Sequence, residues 1–404
     1  MKMTNSGTLH IIHAMEHEQE SGITKATTTL LLVLILIVGA TLLINKINAP
    51  FDGYLAYNEA WYSLIIENYN THSWLNPIAI PGQPDLRIPP FFTYIGYLFF
   101  LILGDHEWVY RILPILCGLM CIGLTFSIAK RLYGPRTGIT AAALLAVSPV
   151  FALTARNVQT DSMYLMLCLA GLHFYLAWKE NNNPGTLVFS AIMFGLGLFT
   201  KQFTAVALAS VVAAEMIYRL KNRDDNSKVS GALIAVCLFI VFIIPGHYYI
   251  YHLIRHPEGL FVGQRYGAAS LAEIPGFAAL RTLAAEMFFG IGPIAILLAL
   301  GAVMIPSSRK RAASDPFTTV PLVFFIIFFM IFHKHTYYML PIVPYLCILA
   351  GKHTLSFRNR STTAILVAVS LAAGFTHSCM VLGAIKHGYA RFNSVCEKTA
   401  LAKG

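Results

Sequence analysis

The chain has 404 residues, 56% of them hydrophobic and 12% charged, with a mean hydropathy of +0.63, which excludes a water-soluble globular fold of this size. Its formal net charge of +10 does not imply a nucleic-acid partner, because the basic residues stand in small groups between apolar segments, as membrane topology demands. Apolar runs near the roughly 20-residue bilayer length make the spans helices, and the alternating pattern of about ten residues that marks a membrane barrel is missing.

In chain order, residues 1–26 form a polar leader containing Glu16, Glu18 and Glu20. No small-residue cleavage site follows the first apolar run, 27–47, which therefore reads as a retained span. Residues 48–107 form a first long outer loop rich in proline (Pro50, Pro77, Pro81, Pro84, Pro89, Pro90). Within it, 91–104 is apolar but below spanning length, so it is expected to lie at the interface and not to cross. Further spans are expected at 108–129, 138–155, 162–178, 186–199, 203–218, 229–251, 286–305, 317–332, 337–355 and 362–383, giving about eleven crossings. Residues 252–285 make a second long outer loop, 27–383 form one transmembrane domain, and 384–404 are a short tail.

The densest basic loops, around Lys130–Arg136, Arg219–Lys228, Arg309–Arg311 and Lys352–Arg360, fall on the side of the N-terminus if 91–104 does not cross. The positive-inside tendency names that side cytoplasmic. The opposite, outer face then gathers Glu59, Arg87, Arg156, Asp161, Lys201 and Lys334 near the membrane boundary. Cationic side chains there suit a lipid phosphate, and long loops are where function concentrates. The bland alternative for each cation is an end-of-helix residue reaching the headgroups. Trp61, Tyr62, Trp74, Phe91, Phe92 and Tyr94 crowd the first loop as interfacial anchors, with Trp61 and Tyr62 also candidates for sugar contact. The seven cysteines fall mostly in spans without metal or disulfide spacing. His333 and His335 do not share a helical face, so no strong metal site is read; a divalent ion is unsupported and no cofactor is expected.

Several segments, in order, resemble a known family. Tyr57-Asn58-Glu59-Ala60-Trp61-Tyr62 is similar to the Asp-Glu-Ala-x-Tyr motif of the protein O-mannosyltransferase and aminoarabinose-transferase-like glycosyltransferases. Gly82-Gln83-Pro84 with Arg87-Ile88-Pro89-Pro90 resembles their Gly-x-Pro…Lys-Pro-Pro segment, and Arg131-Leu132-Tyr133-Gly134 their Arg-Leu-Phe-Gly turn. Ala155-Arg156…Thr160-Asp161, Thr200-Lys201 and Tyr337-Tyr338-Met339-Leu340-Pro341…Pro344 match later segments in the same order. The resemblance covers roughly residues 50–350. It implies an all-α GT-C membrane fold with a reaction centre on the outer face of the cytoplasmic membrane. It further implies a polyprenyl-phosphate sugar as donor, a glycan, lipid or protein acceptor, and inversion at the anomeric carbon. Membrane lipids are the remaining partners.

The chemistry such a transfer needs is a carboxylate to take the acceptor proton and a cationic clamp on the departing phosphate. The motif's first acid is here Asn58, an amide that cannot take a proton at neutral pH. Glu59 is therefore expected as the base, with Asp161 positioning the acceptor or the motif loop. Arg87, Lys201, Arg156 and Lys334 are expected on the donor phosphate, and Trp61, Tyr62, Tyr337 and Tyr338 on sugar or acceptor. Two other readings stay open: a non-catalytic lipid-linked-sugar-binding relative, which Asn58 favours, and a transporter or flippase. A transport path calls for charges near mid-bilayer, whereas here they sit at span ends.

Overall fold

The computed structural model describes residues 24–51, 56–79, 86, 89–221, 230–255, 315–332, 336–355 and 360–384, with isolated residues between 284 and 299. The described residues form helices and no strand. They are α1 (Lys25–Ile44), α2 (Ala56–Asn68), α3 (Phe91–Leu103), α4 (Glu107–Tyr133), α5 (Pro135–Ala146), α6 (Pro149–Thr154), α7 (Asp161–Asn181), α8 (Pro184–Leu198) and α9 (Thr204–Lys221). Then come α10 (Gly231–Arg255), α11 (Pro316–Phe332), a 3-10 turn (Thr336–Met339), α12 (Ile342–Thr354) and α13 (Arg360–Ala384). Most of the expected span at 286–305 and nearly all of the second long loop lie outside the described residues.

Four described helices are long and apolar enough to cross a bilayer: Lys25–Ile44, Glu107–Tyr133, Gly231–Arg255 and Ser361–Gly383. Three of these are peripheral. Leu30, Val33, Leu34 and Ile37 on α1, and Phe239, Phe242 and Ile243 on α10, are exposed, as lipid-facing apolar surfaces must be. The core runs through α4, α5, α7, α9 and α12, where Ile122, Leu145, Leu165, Leu169, Ile348 and Leu349 are wholly buried. Small residues let these helices approach closely: a methyl group on Gly138 would stand 2.8 Å from the Phe126 carbonyl, and one on Gly171 2.7 Å from the Phe194 ring.

Two single spans expected from hydropathy are subdivided. The run 138–155 breaks into α5 and α6 at Ser148, whose backbone is extended before Pro149 at the first helical position, as the residue before a proline prefers. The run 337–355 opens with the 3-10 turn, and α12 starts only after Pro341. Between α7 and α8 the chain reverses in two residues: Asn182 closes α7 in the left-handed region at φ 52°, and the Asn183 side chain accepts from Gly185 N to cap α8.

Helix α3 is tied to the bundle at both ends. Phe91 N donates to Phe199 O at its start, while Tyr110, in the first turn of α4, donates to Asp105 just past its end at 2.6 Å. Thirteen residues rise only about 20 Å, short of the hydrocarbon thickness of a bilayer.

Candidate active site

The polar side chains collect at two opposite ends of the bundle. Helix α4 carries Arg111 at one end and Arg131 at the other, and α7 carries Asp161 at one end and Lys179 and Glu180 at the other. At the second end, Arg131 pairs with Glu180, Lys179 with Glu215 at 2.7 Å, and Tyr133 accepts from Asp315 N at 2.9 Å. The first end holds every described residue of the family-like motifs that carries candidate chemistry.

Glu59 and Asn58 sit in the first turn of α2 and part in function at once. Both Glu59 oxygens are taken by Arg111, Nε to Oε1 at 3.0 Å and Nη2 to Oε2 at 2.9 Å, and Oε1 also accepts from Val158 N at 3.2 Å. The pair is almost wholly buried, with 4% and 2% of the two side chains exposed. Arg111 spends its other donors on the carbonyls of Ile47, Ala49 and Pro50 and lies over the Phe51 ring at 5.1 Å. Glu59 thus ties α2 to α4, to the end of α1 and to the turn before α7. With both oxygens on the Arg111 fork and one also on a backbone N–H, Glu59 has less room for an acceptor hydroxyl than Asp161, which meets the Lys201 ammonium; this geometry argues against the expected role of Glu59 as base.

Asp161 opens α7 and faces Lys201 from the α8–α9 turn: Lys201 Nζ lies 2.8 Å from one carboxylate oxygen and 2.9 Å from the other. Both residues are buried. The ammonium also stands 5.0–5.4 Å from four ring centres, those of Phe203, Tyr164, Tyr337 and Tyr338, an aromatic cage within cation–π range. Tyr337 shares a hydrogen bond with the Asn58 side chain; burial, then the neighbouring Tyr338 hydroxyl and Asp161 carboxylate, push its phenol well above the ordinary tyrosine range. Asn58 also donates to Gln159 Oε1 at 3.3 Å. The fold therefore joins Asn58, Gln159, Asp161, Lys201, Tyr337 and Tyr338, from four separate stretches of chain, in one cluster.

Arg156, in the same turn, is 4% exposed, and its Nη1 bonds no described residue. Desolvation, then the nearby Arg111 charge, lower its pKa to about 10, with Glu59 partly opposing them. Two guanidinium groups against one carboxylate leave a surplus positive charge beside the neutral Asp161–Lys201 pair. Of the other candidates, Tyr62 is buried edge-on against Phe92 at 5.7 Å, closed to a sugar ring. Trp61 is half-buried at the surface. Arg87 and Lys334 lie outside the described residues. Among the described residues no group of three His, Cys, Asp or Glu side chains is placed to hold a metal.

Sequence reasoning missed Arg111 and Gln159. Arg111 falls inside the expected span 108–129, where an arginine in an apolar run is itself a signal.

The comparisons with known proteins agree with this architecture. Residues 87–249, which include Arg111, Arg156, Asp161 and Lys201, match the family described as dolichyl-phosphate-mannose-protein mannosyltransferase. The putative mannosyltransferase YycA of Bacillus subtilis is 25% identical over 146 residues, which are 36% of this chain but only 21% of that protein. ArnT from Cupriavidus metallidurans, solved bound to undecaprenyl phosphate, superposes with a TM-score of 0.68 and 20% identity over 91% of this chain and 67% of its own. The archaeal oligosaccharyltransferase AglB from Archaeoglobus fulgidus, in complex with an inhibitory peptide and a dolichol-phosphate, gives 0.62 and 14% over 90% and 56%.

Proposed function

We propose that this chain, which has the GT-C fold and whose residues 87–249 match a lipid-linked mannosyltransferase family, is a membrane glycosyltransferase. It moves a sugar from a polyprenyl-phosphate donor to an acceptor at the outer face, with inversion. The observation that carries this reading is the buried Asp161–Lys201 pair set against Asn58 and Tyr337. Asp161 replaces Glu59 as the base. In the transfer, the acceptor hydroxyl gives its proton to an Asp161 carboxylate oxygen, and the acceptor oxygen bonds to the anomeric carbon. The bond from that carbon to the phosphate oxygen breaks on the opposite side, and its electron pair stays on the phosphate. Protonation of Asp161 releases the Lys201 ammonium to the departing phosphate, with Arg156 supplying the surplus positive charge. Arg87 and Lys334 are assigned to the same phosphate from the sequence pattern alone. Asn58 and Tyr337 orient the acceptor hydroxyl.

The test is mass-spectrometric detection of sugar release from a panel of polyprenyl-phosphate sugars by the nanodisc-held chain. Asp161→Asn is expected to cut turnover by about a thousandfold while donor binding persists. Full activity in that variant would overturn the assignment of the base. Donor binding without release by the unmodified protein would instead support the non-catalytic reading that Asn58 favours. Cationic side chains supply the charge in this scheme, so turnover is expected to survive a chelator; loss of activity restored by a divalent ion would contradict it.

A further inference from the structure

On α2, positions 57 and 61 lie four apart and share a helix face. Their rings stack, with centroids 5.6 Å apart and planes inclined by 26°. Tyr57 is 61% exposed, whereas Trp61 packs against the cluster shared by α2 and α3. Tyr62, Ile65 and Ile66 are buried in that cluster, which fixes the rotation of α2 and turns the Tyr57–Trp61 pair outward. Between the two rings in sequence, Asn58 directs its amide to Gln159 and Tyr337, into the reaction centre. The platform is thus one residue from the chemistry.

We infer that the stacked Tyr57–Trp61 pair is the acceptor platform and that it takes the ring of a carbohydrate. A pyranose has an apolar face of C–H bonds that packs on an aromatic ring, and hydroxyls at its edge that need amide or phenol partners. Tyr57 offers the ring face; Asn58, the next residue on α2, and Tyr337 offer the edge partners. Neither ring belongs to the named letters of the motif that α2 resembles: Tyr57 precedes it, and Trp61 fills its x position. Acceptor choice can therefore reside in them without disturbing the groups that move the proton. A peptide hydroxyl acceptor would gain little from a flat exposed ring, so a glycan acceptor follows. Leu64, one turn further along the stripe and 42% exposed, makes the bilayer the rival occupant.

This inference rests on the glycosyltransferase reading, and the experiment separates the two. Simple methyl glycosides would be titrated onto the full chain in nanodiscs, with saturation-transfer NMR from the aromatic protons as readout. Sugar transfer from the donor to each glycoside would be measured in parallel. Signals from the C–H face of at least one glycoside are expected, retained in Tyr57→Phe and weakened about tenfold in Tyr57→Ala and Trp61→Ala. In transfer, the alanine variants should raise the acceptor KM by a similar factor and leave donor affinity unaltered. Glycoside binding that depends on Tyr57, without donor turnover by the unmodified protein, would sink the enzyme reading and keep the platform. Donor turnover with no glycoside signal, or with one that Tyr57→Ala does not change, would sink the platform. So would quenching of Trp61 emission by brominated lipid in a variant where Trp61 is the sole tryptophan, unrelieved by the glycosides.

Discussion

Removing the Glu59 carboxylate leaves Arg111 buried and uncompensated, a change on the order of 3 kcal/mol. Glu59→Gln is accordingly expected to lower the thermal unfolding midpoint clearly, and any loss of transfer should track the loss of folded protein. Arg111→Met combined with Glu59→Gln should recover only part of the stability, because the carbonyls of Ile47, Ala49 and Pro50 lose their donor. A Glu59→Gln protein with an unchanged midpoint and no activity would restore Glu59 as the base. The motif made both acids legible, yet nothing in it told structural from chemical. That distinction depends on which cation each carboxylate meets, Arg111 for one and Lys201 for the other, and those partners lie 52 and 40 positions away in sequence.

The helices were legible where hydropathy is continuous and less so where a local backbone rule cuts a run. Pro149 splits the expected span 138–155, and the Tyr337-Tyr338 turn delays α12, which places those tyrosines beside Lys201 instead of inside a span. Pairing between helices was not legible, because it depends on small residues whose neighbours are remote. Gly138→Ala would drive a methyl group against the Phe126 carbonyl and ring. Backbone cannot swing aside, so a loss of about 1–3 kcal/mol is expected, seen as a lower unfolding midpoint. Gly123→Ala, on the facing helix α4 and with open space around it, should leave the midpoint unchanged or raise it. Equal effects of the two would refute the close α4–α5 packing.

At the scale of the molecule, the prediction is sidedness. Cysteines placed at Ser73 and Asp105 in a cysteine-free background should both react with a membrane-impermeant maleimide from outside, and one placed at Asn182 only from the cytoplasmic side. Labelling of positions 73 and 105 from opposite sides would mean that α3 crosses and would invert every later loop. By itself, the sequence determined that the chain lives in a membrane as helices and which segments resemble a glycosyltransferase family. It also grouped the candidate residues at one end of the bundle, because hydropathy, basic-loop bias and motif order are local properties summed along the chain. Only the tertiary structure decided that Glu59 is locked to Arg111, that Asp161 meets Lys201 in an aromatic cage, and that Tyr57, not Tyr62, presents an open ring. Those outcomes depend on the rotation of α2 and on contacts between residues far apart in sequence, and both are set by how the helices pack.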